Sequence, residues 1–177
     1  MHLPFQISGA ITGAITDPFS EQADKHAELY YPEIRKMSTD VEKIAQNAGF
    51  TIDQIRLVKN HLFIYEHDLD GKIKQFDPCF QIAESWRRLA FDKDNIKPHD
   101  ILLLQHELQE LQLVSTGIPQ NEAHDLTNKI YNYQKASDNY YKNLTKDKQE
   151  DNYKKQYSNS GAIIYNPDEE REDLELW

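Results

Sequence analysis

Residues 99–124 have the sequence HDILLLQHELQELQLVSTGIPQNEAH, and this stretch decides how we interpret the rest of the chain. A helix over about residues 98–114 would place His99, His106 and Glu110 within roughly 40° of one another, since successive residues turn by about 100°. Leucines flank this stripe, so its ionisable side chains are expected to be largely buried. A buried charge without a partner is costly. The stretch therefore predicts a central helix that carries a polar site.

The segments before residue 60 also show helical signals. Apolar spacing predicts a helix over residues 20–36, with Pro32 expected to kink or break it. Two capping-box patterns follow, Thr39 with Glu42 and Thr51 with Gln54, and each precedes a run with apolar residues at helical spacing. We therefore expect three helices before residue 62.

Residues 61–78, HLFIYEHDLDGKIKQFDP, interrupt the helical pattern, and DLDGKI is typical of a turn between two short strands. Asp77 and Pro78 predict the start of another helix, and Pro119 with Gln120 predict the start of one that reaches Tyr133. The predicted fold class is mainly α: a single domain of about six helices with a small β-hairpin near residues 61–76.

Composition along the chain predicts three parts. Residues 1–19 contain the small-residue segment ISGAITGAITDPF, which favours an extended lead-in or linker. Residues 20–143 carry the helical signals and form the predicted helical effector domain. Residues 144–177 are rich in Tyr, Asn, Lys and Asp, and we expect a polar, loosely held C-terminal tail because such composition buries little apolar surface.

The overall composition limits the function. A formal net charge of −10 disfavours nucleic acid as a partner without excluding it. The single cysteine rules out a disulfide framework and a cysteine zinc site. No apolar run approaches the length of a membrane span and the N-terminus lacks the basic region of a secretory signal, so we expect no membrane association.

The pattern His106-Glu107-Leu-Gln-Glu110 has the form H-E-x-x-E, whose first and fifth residues share a helix face. These two side chains are predicted ligands of a divalent metal, zinc or manganese, with His124 on the next helix as the third. Three protein ligands leave a position open for water. Glu107 is rotated by about 100° from His106 and is the predicted general base for such a water.

A second group of polar residues lies near the predicted hairpin. His61 is a further predicted catalytic residue, and Lys59, His67 and His99 are predicted to orient a substrate. Two alternatives remain open. His61, His67 and Lys59 could instead serve a metal-independent nuclease toxin, or the buried histidines could form an internal hydrogen-bond network in a non-catalytic interaction module.

The segments IRLVKNHLF, EHDL, FDPCFQIAESWRRL and KIYNY, together with residues 99–124, occur in an order that resembles a family of bacterial domains. These domains stand at the C-termini of phage minor head proteins and of Rhs-type polymorphic toxins. The most specific part of the resemblance is H-E-L-x-E followed by G and then E-A-H. The resemblance implies a toxin or effector module, but it assigns no catalytic residue.

The expected function is therefore that of a bacterial polymorphic-toxin or phage-associated effector domain that acts as a metal-dependent hydrolase, peptidase-like or nuclease. The resemblance also implies a cognate immunity protein and a larger carrier protein or secretion machinery. Such a domain would be made in the bacterial cytoplasm and delivered into a target cell.

Overall fold

The computed structural model describes residues 15–158, with side chains for residues 15–151. Residues 1–14 of the predicted lead-in lie outside this part. The chain divides into two compact units, Met1–Tyr141 and Lys142–Trp177. The α-helices of the described part are α1 (Glu21–Lys36), α2 (Asp40–Ala48), α3 (Ile52–Lys59), α4 (Phe80–Phe91), α5 (Pro98–Ser115), α6 (Gln120–Asn128) and α7 (Tyr133–Ser158).

A two-stranded antiparallel hairpin lies between α3 and α4. Its strands are β1 (His67–Leu69) and β2 (Lys72–Lys74). Asp70 and Gly71 connect the strands with φ values of 55° and 81°, the left-handed conformation that a tight two-residue hairpin turn requires. The predicted fold class, mainly helical with a small hairpin, is confirmed.

The N-terminal helices follow most of their sequence signals. Thr51 and Gln54 form the predicted capping box at the start of α3, whereas Thr39 precedes α2 without a side-chain capping bond. Of the kink or break predicted at Pro32, the break does not occur, since α1 continues through Pro32 to Lys36. The apolar face of α1 is buried on both sides of the proline, at Tyr31 and Ile34, and this packing outweighs the lost backbone hydrogen bond.

Two predicted helix boundaries are also wrong. α4 begins at Phe80 and not at Asp77, whose carboxylate bonds the Lys74 ammonium at 2.8 and 2.9 Å. α6 ends at Asn128, so Tyr133 belongs to the next helix, where it is the first residue. The Asp77 carboxylate is thus bonded to Lys74 and does not cap α4, and a turn closed by the Tyr131 amide on the Thr127 carbonyl oxygen ends α6.

In the core of the first unit α5 lies against α3, α4 and α6, and α4 lies in turn against α1 and α2. A T-shaped pair of Phe63 and Trp86 rings, with centroids 5.1 Å apart, fills its centre. Leu103 and Leu104 of α5 are fully buried beside them. The helix that carries the predicted site is therefore one of the helices that build the core.

The second unit contains residues 142–158 of α7, and these are helical. The prediction that the region from residue 144 is loosely held remains a prediction. Over the described residues, we find no helix with the length and apolar character needed to cross a bilayer.

Candidate metal centre

The carboxylate of Glu110 lies at the centre of a buried histidine cluster. Its Oε1 atom is 3.2 Å from His61 Nε2. Its Oε2 atom is 3.2 Å from His106 Nε2 and 2.9 Å from His124 Nδ1. The side-chain amide of Gln120 also donates to Oε1. Three histidines that the sequence predicted as catalytic or metal-binding residues, His61, His106 and His124, thus contact the same carboxylate.

Different elements bring these side chains together. His106 and Glu110 lie one turn apart on α5 and share a face. A turn with Gly117 at φ 94° ends α5, and α6 then packs against it and brings in His124. His61 lies in a π-helical turn, Asn60–Ile64, that extends α3. Such π turns occur frequently at functional sites, because they shift side chains relative to a regular helix.

The orientation of the His106 ring is set by the backbone. Its Nδ1 atom lies 2.7 Å from the carbonyl oxygen of Tyr131, and because a carbonyl only accepts, Nδ1 carries the proton. In the neutral ring Nε2 then has a lone pair directed at a carboxylate oxygen of Glu110. Two lone pairs at hydrogen-bond distance repel unless a cation lies between them. That cation is either a proton or a metal ion.

Three donor atoms, His106 Nε2, Glu110 Oε2 and His124 Nδ1, form a triangle with sides of 2.9, 3.2 and 3.3 Å. Ligand atoms at about 2.0–2.1 Å from a tetrahedral zinc ion are separated by roughly 3.3 Å. The observed spacing is close to that value. These residues could hold a metal ion, and the donor set of two imidazoles and one carboxylate is one that zinc accepts.

A second group shares Glu110 and consists of His61 and Glu107. Glu107 Oε2 lies 3.5 Å from His61 Nε2, and all three side chains are buried. Burial, and then the charge of Glu110, raise the pKa of Glu107 well above its usual value. A buried carboxyl group with a raised pKa beside an imidazole is a candidate for proton transfer.

The electrostatics of the cluster favour a charged Glu110. Although burial opposes ionisation, the hydrogen bonds from His106, His124 and His61 lower the pKa of Glu110. The hydrogen bond to Glu110 in turn raises the pKa of His124. The arrangement therefore places a charged carboxylate among imidazole nitrogens, and a bound metal ion would displace any proton held between them.

His124 connects the cluster to solvent. About half of its side chain is exposed (52%), whereas His61, His106 and Glu110 are buried. A cleft of about 470 Å³ opens beside it, and Glu107 and Glu110 also contribute to the lining of this cleft. A small molecule in the cleft can thus reach Glu110 and His124, two of the three side chains that would hold a metal ion.

His67 lies next to the cluster and supports it. Its Nε2 donates to the carbonyl oxygen of His61 at 2.8 Å, and its ring stacks on Phe76 with centroids 4.2 Å apart. Burial lowers the pKa of His67, so the neutral ring is favoured. His67 thus braces the π turn from the hairpin side.

The structure does not bring Lys59 and His99 to this cluster. The ammonium of Lys59 bonds Asp40 Oδ1 at 2.9 Å and the carbonyl oxygen of Met37 at 2.7 Å. His99 Nε2 lies 3.1 Å from a guanidinium nitrogen of Arg88. Both residues belong to other buried polar networks, and their predicted function in orienting a substrate has no support in these contacts.

Sequence reasoning missed two contributors to the cluster. One is Gln120, whose amide reaches Glu110, and the other is the carbonyl oxygen of Tyr131, which orients His106. Gln120 precedes His124 by four residues on α6, so helical spacing could have indicated it. No sequence pattern indicates the Tyr131 contact, because any residue supplies a backbone carbonyl.

Comparison of the chain with protein-family models, with curated proteins and with solved structures finds no match.

Proposed function

We propose that this chain is a metal-dependent hydrolase in which His106, Glu110 and His124 hold a divalent ion. The observation that carries the proposal is the triangle of donor atoms, whose sides of 2.9–3.3 Å fit a tetrahedral site. Two imidazole ligands favour zinc over manganese, since manganese prefers oxygen donors. The half-exposed His124 and the adjoining cleft give the site an open side toward solvent.

The backbone contact of His106 also favours metal binding. Histidine ligands usually donate their second ring N–H to a carboxylate or a backbone carbonyl, which fixes the tautomer and the ring plane. His106 makes this contact with Tyr131. The same bond would leave Nε2 free to bind a cation without rearrangement.

Glu107 and His61 would perform the proton transfers. When bound, a zinc ion would lower the pKa of a water molecule and polarise the bond to be cleaved. Glu107 would accept a proton from that water and pass it to the leaving group as the bond breaks. His61, 3.5 Å from Glu107, would stabilise the carboxylate between these transfers. The result is addition of water across the bond, with no net proton consumed by the protein.

The metal-independent nuclease is less well supported. It needs Lys59 at the substrate, and the Lys59 ammonium is held by Asp40 and Met37. His61 and His67 do lie together, with ring centroids 4.6 Å apart. However, His67 Nε2 donates its hydrogen to the backbone carbonyl oxygen of His61 and is not free to transfer a proton to a substrate.

The biological setting rests on the resemblance alone. We propose that the hydrolase is a bacterial polymorphic-toxin or phage-associated effector domain, paired with an immunity protein and delivered by a larger carrier or secretion machinery. It would then inhibit growth when expressed in the bacterial cytoplasm without its inhibitor. In the alternative, a non-catalytic interaction module, the cluster is a hydrogen-bond network that binds no metal.

Elemental analysis combined with Glu107→Gln tests the proposal. We expect about one zinc per chain, lost on chelation, in the wild type and in Glu107→Gln alike. Growth inhibition should fall sharply in Glu107→Gln alone, because removal of a general base costs about 10² to 10⁴ in rate. Glu122→Gln, an exposed position on α6, is the matched control and should remain toxic.

Three outcomes would contradict the proposal. A wild-type protein that holds no divalent ion would remove the metal site, and a non-toxic one would favour the interaction module. Toxicity of Glu107→Gln equal to that of the wild type would show that Glu107 is not the base.

A further inference from the structure

The cleft beside the cluster has one apolar wall. Its lining includes Tyr31, Leu69, Phe76 and Ile82, which come from α1, the hairpin region and α4. An apolar wall stabilises an aliphatic or aromatic group of the substrate by removing it from water. A ligand that fits this wall therefore carries such a group close to the bond that is cleaved.

Apart from Glu107, Glu110 and His124 of the cluster, the other lining residues are amides and acids. Gln120, Asn121 and Asp125 come from α6, and Asp77 comes from the segment before α4. Asn121 and Asp125 are exposed. An asparagine side chain can donate to a carbonyl and accept from an N–H at once, so Asn121 is suited to bind a peptide group.

A second hollow of about 430 Å³ adjoins the cleft, because Gln120 and Asn121 line both. It adds the exposed carboxylates of Asp68 and Asp70. Lys74 partly offsets Asp77 through their ion pair. Among residues 15–151, neither Lys nor Arg is part of the lining of the two hollows.

This charge distribution selects between substrate classes. Enzymes that act on phosphate groups commonly add Arg or Lys side chains to the metal ion that stabilises the negative charge, and over the described residues the two hollows offer neither. Here a phosphodiester would approach the site past several carboxylates, and the repulsion would disfavour it. A lysine or arginine side chain would instead be attracted by the same carboxylates.

We infer that the substrate is a polypeptide segment in which an apolar side chain neighbours a lysine or an arginine. The inference rests on the proposed hydrolytic function, and it identifies the bond as a peptide amide. Water adds to the carbonyl carbon, the C–N bond breaks, and the proton taken up by Glu107 goes to the leaving nitrogen. The products are one new carboxyl terminus and one new amino terminus.

The first test is cleavage of a mixture of synthetic peptides in which every pair of neighbouring residues is represented. The zinc-loaded full chain is incubated with the mixture, and mass spectrometry identifies the cleaved bonds. We expect cleavage next to an apolar residue that adjoins Lys or Arg. Shortening that apolar side chain by one methylene should lower kcat/KM about tenfold or more, as in other apolar pockets.

The second test uses charge-removing variants. Asp68→Asn and Asp125→Asn should each lower the preference for Lys over Glu by about two- to fivefold, the effect expected of exposed ion pairs. Asn retains the Oδ1 acceptor that bonds the Gly71 amide, so Asp68→Asn preserves the turn. Asp94→Asn is the matched control, since Asp94 is exposed and lines neither hollow. About 1 M salt should reduce the preference in the wild type.

The outcomes separate this inference from the proposed function. If the protein holds zinc and hydrolyses RNA, DNA or a model phosphodiester but no peptide, the peptide assignment is overturned and the hydrolase remains. If peptides are cut with equal preference for Lys and Glu, the acidic lining does not select the substrate. A zinc-loaded protein that cuts neither class overturns both the inference and the hydrolase.

Discussion

His124→Ala is the substitution that best isolates the proposed metal site. His124 is the one member of the donor triangle with a half-exposed side chain. Its bond to Glu110 is therefore expected to contribute no more than about 1 kcal/mol to the stability of the metal-free protein. Glu110→Ala is a poorer test, because it leaves buried imidazoles without their acceptor at a cost of about 3–5 kcal/mol.

The expected magnitude follows from linkage between binding and folding. Zinc at about 100 times its Kd stabilises a protein by about 2.7 kcal/mol, which for a chain of this size raises Tm by about 5–11 °C. Removal of a residue that only orients a metal ligand lowers metal affinity by about 10- to 100-fold. Removal of His124, a proposed direct ligand, should lower the affinity by at least the same factor. At the same zinc concentration the stabilisation then falls to about 1.4–0.4 kcal/mol.

Thermal unfolding with and without zinc measures this difference. We expect the metal-free His124→Ala protein to unfold no more than about 2–4 °C below the metal-free wild type, and its zinc-induced shift to be at most about half the wild-type shift. Glu122→Ala, exposed on the same helix, should respond to zinc as the wild type does. If zinc stabilises His124→Ala as much as the wild type, His124 is not a ligand and the donor triangle is wrong.

Two further predictions concern stability and the C-terminal region. Burial lowers the pKa of His99 in the folded protein to about 4. As pH falls, this histidine therefore binds a proton in the unfolded protein before it does so in the folded protein. The free energy of unfolding should decrease by about 2–3 kcal/mol between pH 6.5 and pH 4. Denaturant unfolding at both pH values should show this loss in the wild type and not in His99→Gln; equal losses would contradict it. Limited proteolysis should cut residues 147–158 first and leave a fragment ending near Asn143, whereas protection equal to that of α5 would show that this region is firmly held.

Much of the helical framework follows from the sequence. Apolar spacing and the Thr51–Gln54 capping box predict α3, and the DLDGKI turn predicts the hairpin, because these signals act between residues close in the chain. The errors occur at Pro32, at the start of α4 and at the end of α6. In each case a tertiary or local contact outweighed a local preference.

In the candidate site too, the sequence predicts contacts within one helix and does not predict contacts between elements. The sequence by itself determines that His106 and Glu110 share a helix face, because their four-residue separation is about one turn of helix. His99 lies on the same stripe but two turns from His106, about 10 Å along the axis, and bonds Arg88 instead. The angular position of a residue on the helix therefore predicts which face of α5 it lies on, but it does not predict which side chains it contacts.

Only the tertiary structure decides which side chains from other elements meet at Glu110. His61 reaches Oε1 because the π turn after α3 rotates it toward α5, and Lys59, two residues earlier, points to Asp40. Contacts between elements depend on how helices pack and on where each helix ends, and these depend on the whole core at once. The sequence determines the periodicity that puts the ligands on helices, and the packing determines the distances that would make them a metal site.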